Sequence, residues 1–189
     1  MAGLTWAAGL RGLMVEAAGF ESAVHWYGTF GQILLPGLVT GALFGWGWWA
    51  RRRWTTLAPL AFPLAVVASP DTVTTILNGD VPFADGIGGG ALALPLFGIA
   101  GGYAIAGRGA RAGRIVCGLL ALASGPAWAV AAASISPVLA VDTPRGAWVA
   151  VLFAGSVATL AIGCAVPLFR AAAERSVDQG DEVSPSTAS

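Results

Sequence analysis

The residues able to do chemistry are few, and they gather near the start of the chain. Arg11 and Glu16 interrupt an otherwise apolar opening segment, and Glu21 and His25 follow shortly after. A charge at membrane depth is a functional candidate because an Arg at a helix centre costs about 2.5–3.5 kcal/mol to insert. Arg11 and Glu16 are separated by about 500° around a helix, so they do not share a face. Glu21 and His25 are placed to meet across one helical turn. The plainer reading for all four is a wet interface, with Arg11 snorkelling to water.

Other chemistries can be set against the residues they need. A Ser–His protease within the membrane needs a GxSG element and a histidine at membrane depth. Ser124-Gly125 lacks the first glycine, and His25 is the single histidine. A dithiol enzyme needs CxxC, whereas Cys117 and Cys164 stand far apart. One histidine and two distant cysteines do not make a metal site, so no metal and no cofactor is expected. Asp71, Asn78, Asp80 and Asp85 could offer oxygens to a hard cation, but their spacing matches no EF-hand loop. The glycines at 86 and 88–90 lack the preceding strand and the GK[ST] ending of a phosphate loop. No catalytic constellation emerges, and a non-enzymatic protein is expected.

Composition explains why so little polar chemistry is present. Of 189 residues, 56% are hydrophobic and 11% charged, with mean hydropathy +0.74. Soluble domains carry about 25% charged residues, so a soluble chain of this kind would lack a polar surface. The ten basic residues are all Arg, and net charge is zero. No basic run with interleaved aromatics points to nucleic acid. No basic n-region with a short apolar core and cleavage site marks a signal peptide.

These properties predict an all-α fold, a polytopic transmembrane helical bundle over residues 1–170. Its helices are expected at about 1–20, 29–50, 55–70, 87–107, 115–141 and 147–169. Residues 171–189 are polar, Ser-rich and acidic, and are expected to be a disordered cytoplasmic tail. Segment 29–50 carries no formal charge and makes roughly 33 Å of helix, enough for a hydrocarbon core of about 30 Å. Trp46, Trp48 and Trp49 crowd its end, and Arg51, Arg52 and Arg53 follow. This is the pattern of a cytoplasmic interface. Segment 55–70 contains Pro59 and Pro63, which predict a kink. Segment 71–86 reads as a polar outer loop. Segment 1–20 is marginal: either it spans, giving six helices with both ends inside, or it lies on the outer surface, giving five. Six is the preferred count.

The charges fit one threading. Arg51, Arg52, Arg53, Arg108, Arg111, Arg114, Arg170 and Arg175 fall on one side, and Asp71, Asp80, Asp85 and Asp142 on the other. That distribution predicts a multi-pass protein of the cell membrane with its C-terminus in the cytoplasm. Segments 29–70 and 87–141 each form a helix, an Arg-rich turn and a returning helix. They are at best a parallel repeat, weaker than the inverted repeats of transporters.

Small residues recur at helical spacing. Gly37, Gly41 and Gly45 form overlapping GxxxG steps, and Gly98 and Gly102 repeat the pattern. Such faces let backbones approach closely in lipid, where packing drives association. They could form a homodimer, but packing within one chain is the plainer reading, with the two glycine faces as each other's partners.

Arg11-Gly12-Leu13-Met14, Glu21-Ser22, Trp26-x-Gly28-Thr29-Phe30 and Pro36-Gly37 together resemble the first part of small uncharacterised multi-span integral membrane proteins of high-GC bacteria. The run at 88–109 is similar to the same group, so the resemblance covers residues 9–114. It implies a multi-helix membrane fold and carries no activity. In that group the RGxM element tends to follow a complete first span. Only a short segment precedes Arg11 here, which implies a shortened first helix or a start upstream of Met1.

Three functions follow in order of preference. The first is a structural or partner-binding membrane protein, embedded in the lipid bilayer and assembled with itself or another membrane protein. The second is a small transporter or channel subunit assembling through the glycine faces. The third is an enzyme on a lipid-borne substrate, using Arg11, Glu16, Glu21 and His25 at the outer interface.

Overall fold

The computed structural model describes residues 2–18, 24, 26–49, 53–78, 89–107 and 109–182, and the regular elements among them are all helices, with no strand. Helix α1 is Ala2–Ala18. A π-helical stretch, Trp26–Leu34, leads without a break into α2, Leu35–Trp49. A 3-10 stretch, Arg53–Leu60, leads into α3, Ala61–Val67. Helix α4 is Pro70–Leu77, α5 is Gly89–Ile105 and α6 is Arg111–Ile135. A single 3-10 turn, Pro137–Leu139, precedes α7, Pro144–Glu182.

By length and composition, two of these helices can cross a membrane: Arg111–Ile135 and, within α7, Pro144–Pro167. Other apolar helical runs are shorter, at Thr29–Leu43, Leu57–Val67 and Ala91–Ile105. The expected spans are therefore all helical in part, but several are interrupted. Segment 29–50 changes from π to α at Leu35. Segment 55–70 begins as 3-10, with Pro59 inside that stretch. Proline cannot donate a backbone hydrogen bond and disrupts a regular helix.

Local chemistry accounts for further departures. Segment 71–86 was expected as loop, yet its first part belongs to α4. Ser69 caps that helix, accepting from the Thr72 amide at 3.4 Å, and its hydroxyl donates to Thr72 Oγ1 at 2.8 Å. Pro70 supplies a favourable first helical residue. Expected segment 115–141 stops being α-helical at Ile135. Ser136 is extended (φ −153°, ψ 134°), as the residue before a proline tends to be. Helix α7 starts ahead of the expected residue 147 because Thr143 caps it: Gly146 N donates to Thr143 Oγ1 at 2.9 Å. At the other end its backbone stays helical to Glu182, beyond the expected boundary at 169. Residues 171–175, AAAER, are strong helix formers that continue it. Of the tail expected to be disordered, 183–189 lies outside the described residues.

The core joins most of the elements. Trp6 of α1 meets Phe62 of α3 edge to face, with centroids 5.4 Å apart. Trp128 of α6 stacks on Phe153 of α7 at 5.1 Å. Leu94, Leu139, Val149 and Leu160 fill the space between.

Elsewhere the helices touch through missing side chains. A Cβ built on Gly98 would lie 2.5 Å from Leu160 Cβ. One on Gly102 would lie 2.6 Å from Cys164 Cβ and 2.9 Å from the Ala161 carbonyl oxygen. The α5 glycine face thus lies on α7. The α2 glycine face lies instead on α1: a Cβ on Gly37 would lie 2.5 Å from Ala7 Cβ, and one on Gly41 would lie 3.1 Å from Gly3 N. The two glycine faces are therefore not each other's partners. Gly45 faces open space, with nothing within 4 Å.

Gly102→Leu is expected to destabilise the fold by about 1–3 kcal/mol through overpacking, whereas Gly45→Leu leaves stability unchanged. Denaturation of the purified variants reads this directly, and equal stability would remove the backbone-contact argument.

Candidate functional site

Helix α1 lies antiparallel along α7, and this pairing positions the polar residues of the opening segment. A Cβ on Gly163 would meet Ala2 Cβ at 3.2 Å, one on Gly9 would meet Ser156 Oγ at 2.6 Å, and one on Gly12 would meet Leu152 Cδ2 at 3.2 Å. Continuing in that register, Glu16 reaches Arg145 in the first turn of α7.

The junction joins two helix ends of opposite polarity. Arg145 Nε donates to Glu16 Oε2 at 2.7 Å. Arg145 Nη2 also donates to the Glu16 backbone oxygen at 3.1 Å. That carbonyl lies in the last turn of α1, where helix carbonyls lack an intrahelical partner. The Arg145 cation therefore sits at the negative end of α1, and the Glu16 carboxylate stands beside the positive end of α7. Each charge would be unfavourable at the end of its own helix, and each is favourable at its neighbour's.

The turn before α7 holds this arrangement. Thr143 Oγ1 donates to the carbonyls of Ala140 and Val138, at 2.8 and 2.7 Å. Gly146 packs against the Ala140 carbonyl, where a Cβ would collide. Sequence analysis does not single out Arg145 for this role. The available signal was Thr143-Pro144, a cap followed by a first-turn proline. Nothing in the sequence points across the chain from residue 145 to residue 16.

Arg11 is engaged separately. Its Nε donates to Oγ1 of buried Thr29 at 3.2 Å, tying α1 to the π-helical stretch. Arg11 and Glu16 thus sit on one helix but serve different neighbours. Glu21 and His25 lie outside the described residues, as do Asp80 and Asp85.

Among the described residues the hydroxyls and thiols do not assemble into a reactive set. Ser124 Oγ donates to the Ala121 carbonyl at 2.7 Å and Ser156 Oγ to the Leu152 carbonyl at 2.8 Å, each within its own helix. Cys164 is buried in the α5–α7 contact, and Cys117 is partly exposed. Among the described residues no three His, Cys, Asp or Glu side chains are grouped to hold a metal ion.

Beside these contacts lies a groove of about 480 Å³ between α5, α6 and α7. Its floor is small, with Gly101, Gly118, Ala121, Gly125 and Ala158 among its lining. Ser124 supplies the one hydroxyl in that lining. Among the described residues the protein is all-helical, with two helices long and apolar enough to cross a membrane. No family model, curated protein or solved structure matches the chain.

Removing the junction tests its energy. Glu16→Ala and Arg145→Ala should be non-additive, with a coupling of about 1 kcal/mol for a partly exposed pair. Arg145→Ala is the costlier single change, because it also strips the Glu16 carbonyl of its donor. A double-mutant cycle by chemical denaturation measures both, and additive single changes would remove the pairing argument.

Proposed function

We propose that the chain is a multi-pass integral membrane protein that acts by packing against a membrane partner rather than by catalysis. The observation that carries this reading is α6. Its mean hydropathy is 1.9 over a membrane-length window, yet only 11% of that window is buried. The core helix of a soluble protein reaches such hydropathy by being covered. Here Ile115, Val116, Leu119, Leu120, Leu122 and Val130 are all exposed. Water is a poor solvent for such a surface, and a bilayer is a suitable one.

The pairing of α1 with α7 favours six spans over five. Contacts from Ala2–Gly163 to Glu16–Arg145 carry α1 along the same depth as the apolar part of α7. A helix lying on the outer surface would touch α7 only at its end. In this threading the α5–α6 turn and the C-terminus face the cytoplasm, while Asp142 and the Glu16–Arg145 junction face outward.

The packing role is favoured over transport because the groove between α5, α6 and α7 is apolar. It is favoured over catalysis because Arg11 and Glu16 are engaged in holding helices together, and the Ser124 and Ser156 hydroxyls are engaged within their own helices.

Reporter fusions at residues 80, 109 and 189 test the threading. Residue 80 is expected outside, and residues 109 and 189 inside, with the chain retained in membranes after alkaline carbonate washing. Release by carbonate, or a cytoplasmic reporter at residue 80, would overturn it.

A further inference from the structure

Helix α6 carries charge and groove on one face. Arg111, Arg114, Gly118, Ala121 and Gly125 recur at three- and four-residue intervals, so they share a side of the helix. The last three line the groove between α5, α6 and α7. The first two stand at its mouth, roughly 10 and 6 Å beyond Gly118 along the helix axis.

The turn at this mouth is built to hold the arginines there. Gly107 and Gly109 have positive φ, 73° and 81°, which glycine adopts without strain. Tyr103 packs its ring against Gly109 and Gly113 beneath the turn. Arg114 Nε donates to the Ala104 carbonyl at 3.4 Å, anchoring its guanidinium beside the end of α5 and Gly107. Arg111 is exposed at the start of α6, where the helix dipole adds positive potential.

Within the groove the requirements differ. Leu122, Ile162 and Ile105 line it and are exposed, so they stand at its opening. The Ser124 hydroxyl is engaged with its own helix. A volume of about 480 Å³ so lined offers water almost no partners. It suits a flexible hydrocarbon chain entering from the side.

We propose that this groove holds an acyl chain of an anionic phospholipid whose phosphate rests on Arg111 and Arg114. The proposal rests on the membrane-embedded reading above. Charge complementarity selects the occupant: guanidinium groups bind phosphate through strong charge-assisted hydrogen bonds, and basic pockets between helices on the cytoplasmic side take anionic headgroups. The axial gap between Arg111 and Gly118 leaves room for a glycerol ester between phosphate and chain.

The test uses the full chain extracted from membranes, offered phosphatidylglycerol and phosphatidylcholine of identical acyl chains, with bound lipid read by native mass spectrometry. One phosphatidylglycerol per chain is expected, retained about tenfold over phosphatidylcholine. Arg111→Gln, at an exposed position, should cut that preference severalfold. Gly125→Leu should abolish retention of both lipids, because a Cβ there meets nothing within 4 Å and the side chain grows into the groove. Gly125→Ala, a milder change for use if the leucine variant misfolds, should weaken retention. Equal retention of the two lipids, unchanged retention in either Gly125 variant, or a lipid-free dimer would overturn the proposal. A chain that stays in carbonate-washed membranes but shows no lipid preference sinks this inference alone. Release by carbonate sinks the membrane reading with it.

Discussion

At Gly98, Gly101 and Gly102 the backbone of α5 lies so close to α7 that no larger side chain fits, and α6 takes its place from that contact. A Cβ on Gly101 would lie 2.8 Å from Ala161 of α7 and 3.4 Å from Ala121 of α6. Three helices therefore converge on one glycine. Close approach multiplies dispersion contacts between backbones, which is the main attraction available to helices in lipid. The same small residues leave space where the helices begin to diverge. The contact and the groove beside it are two outcomes of one choice of side-chain size.

The second contact, α1 on α7, works differently. It combines small residues along its length with a charged lock where α1 ends and α7 begins. Gly9 and Gly12 admit α7, and Glu16 with Arg145 fixes the register. Exchanging charges between the ends of antiparallel helices lets one ion pair answer two dipoles and one orphan carbonyl. Thr29 then receives Arg11 from the same helix. Arg11 and Glu16 thus hold helices in place, and α6 presents an apolar exterior beside the groove it borders.

Much of the fold was legible in the sequence because helices of this kind are written in composition. The apolar runs around Leu94, Leu120 and Leu152 locate α5, α6 and α7 without reference to partners. Pro59 and Pro137 mark places where regular helix gives way, since a missing amide acts locally. Less visible were Ser69-Pro70 and Thr143-Pro144, whose caps start α4 and α7 ahead of the apolar residues. Polar content alone gave the wrong picture of the segment after Asp71, because Thr and Asp can belong to a capped helix as readily as to a loop.

The sequence by itself determined that the described residues form helices, and that apolar runs alternate with segments bearing arginine or aspartate. These follow from hydrophobicity, proline and charge, which act on each segment independently. Only the tertiary structure decided that Gly37 and Gly41 meet Gly3 and Ala7 rather than Gly98 and Gly102, and that Glu16 meets Arg145. A glycine stripe permits close approach without encoding which helix approaches. An ion pair joining residues so far apart in the chain is set by the antiparallel register of α1 on α7. That register emerges from packing over the whole length of both helices and leaves no local mark.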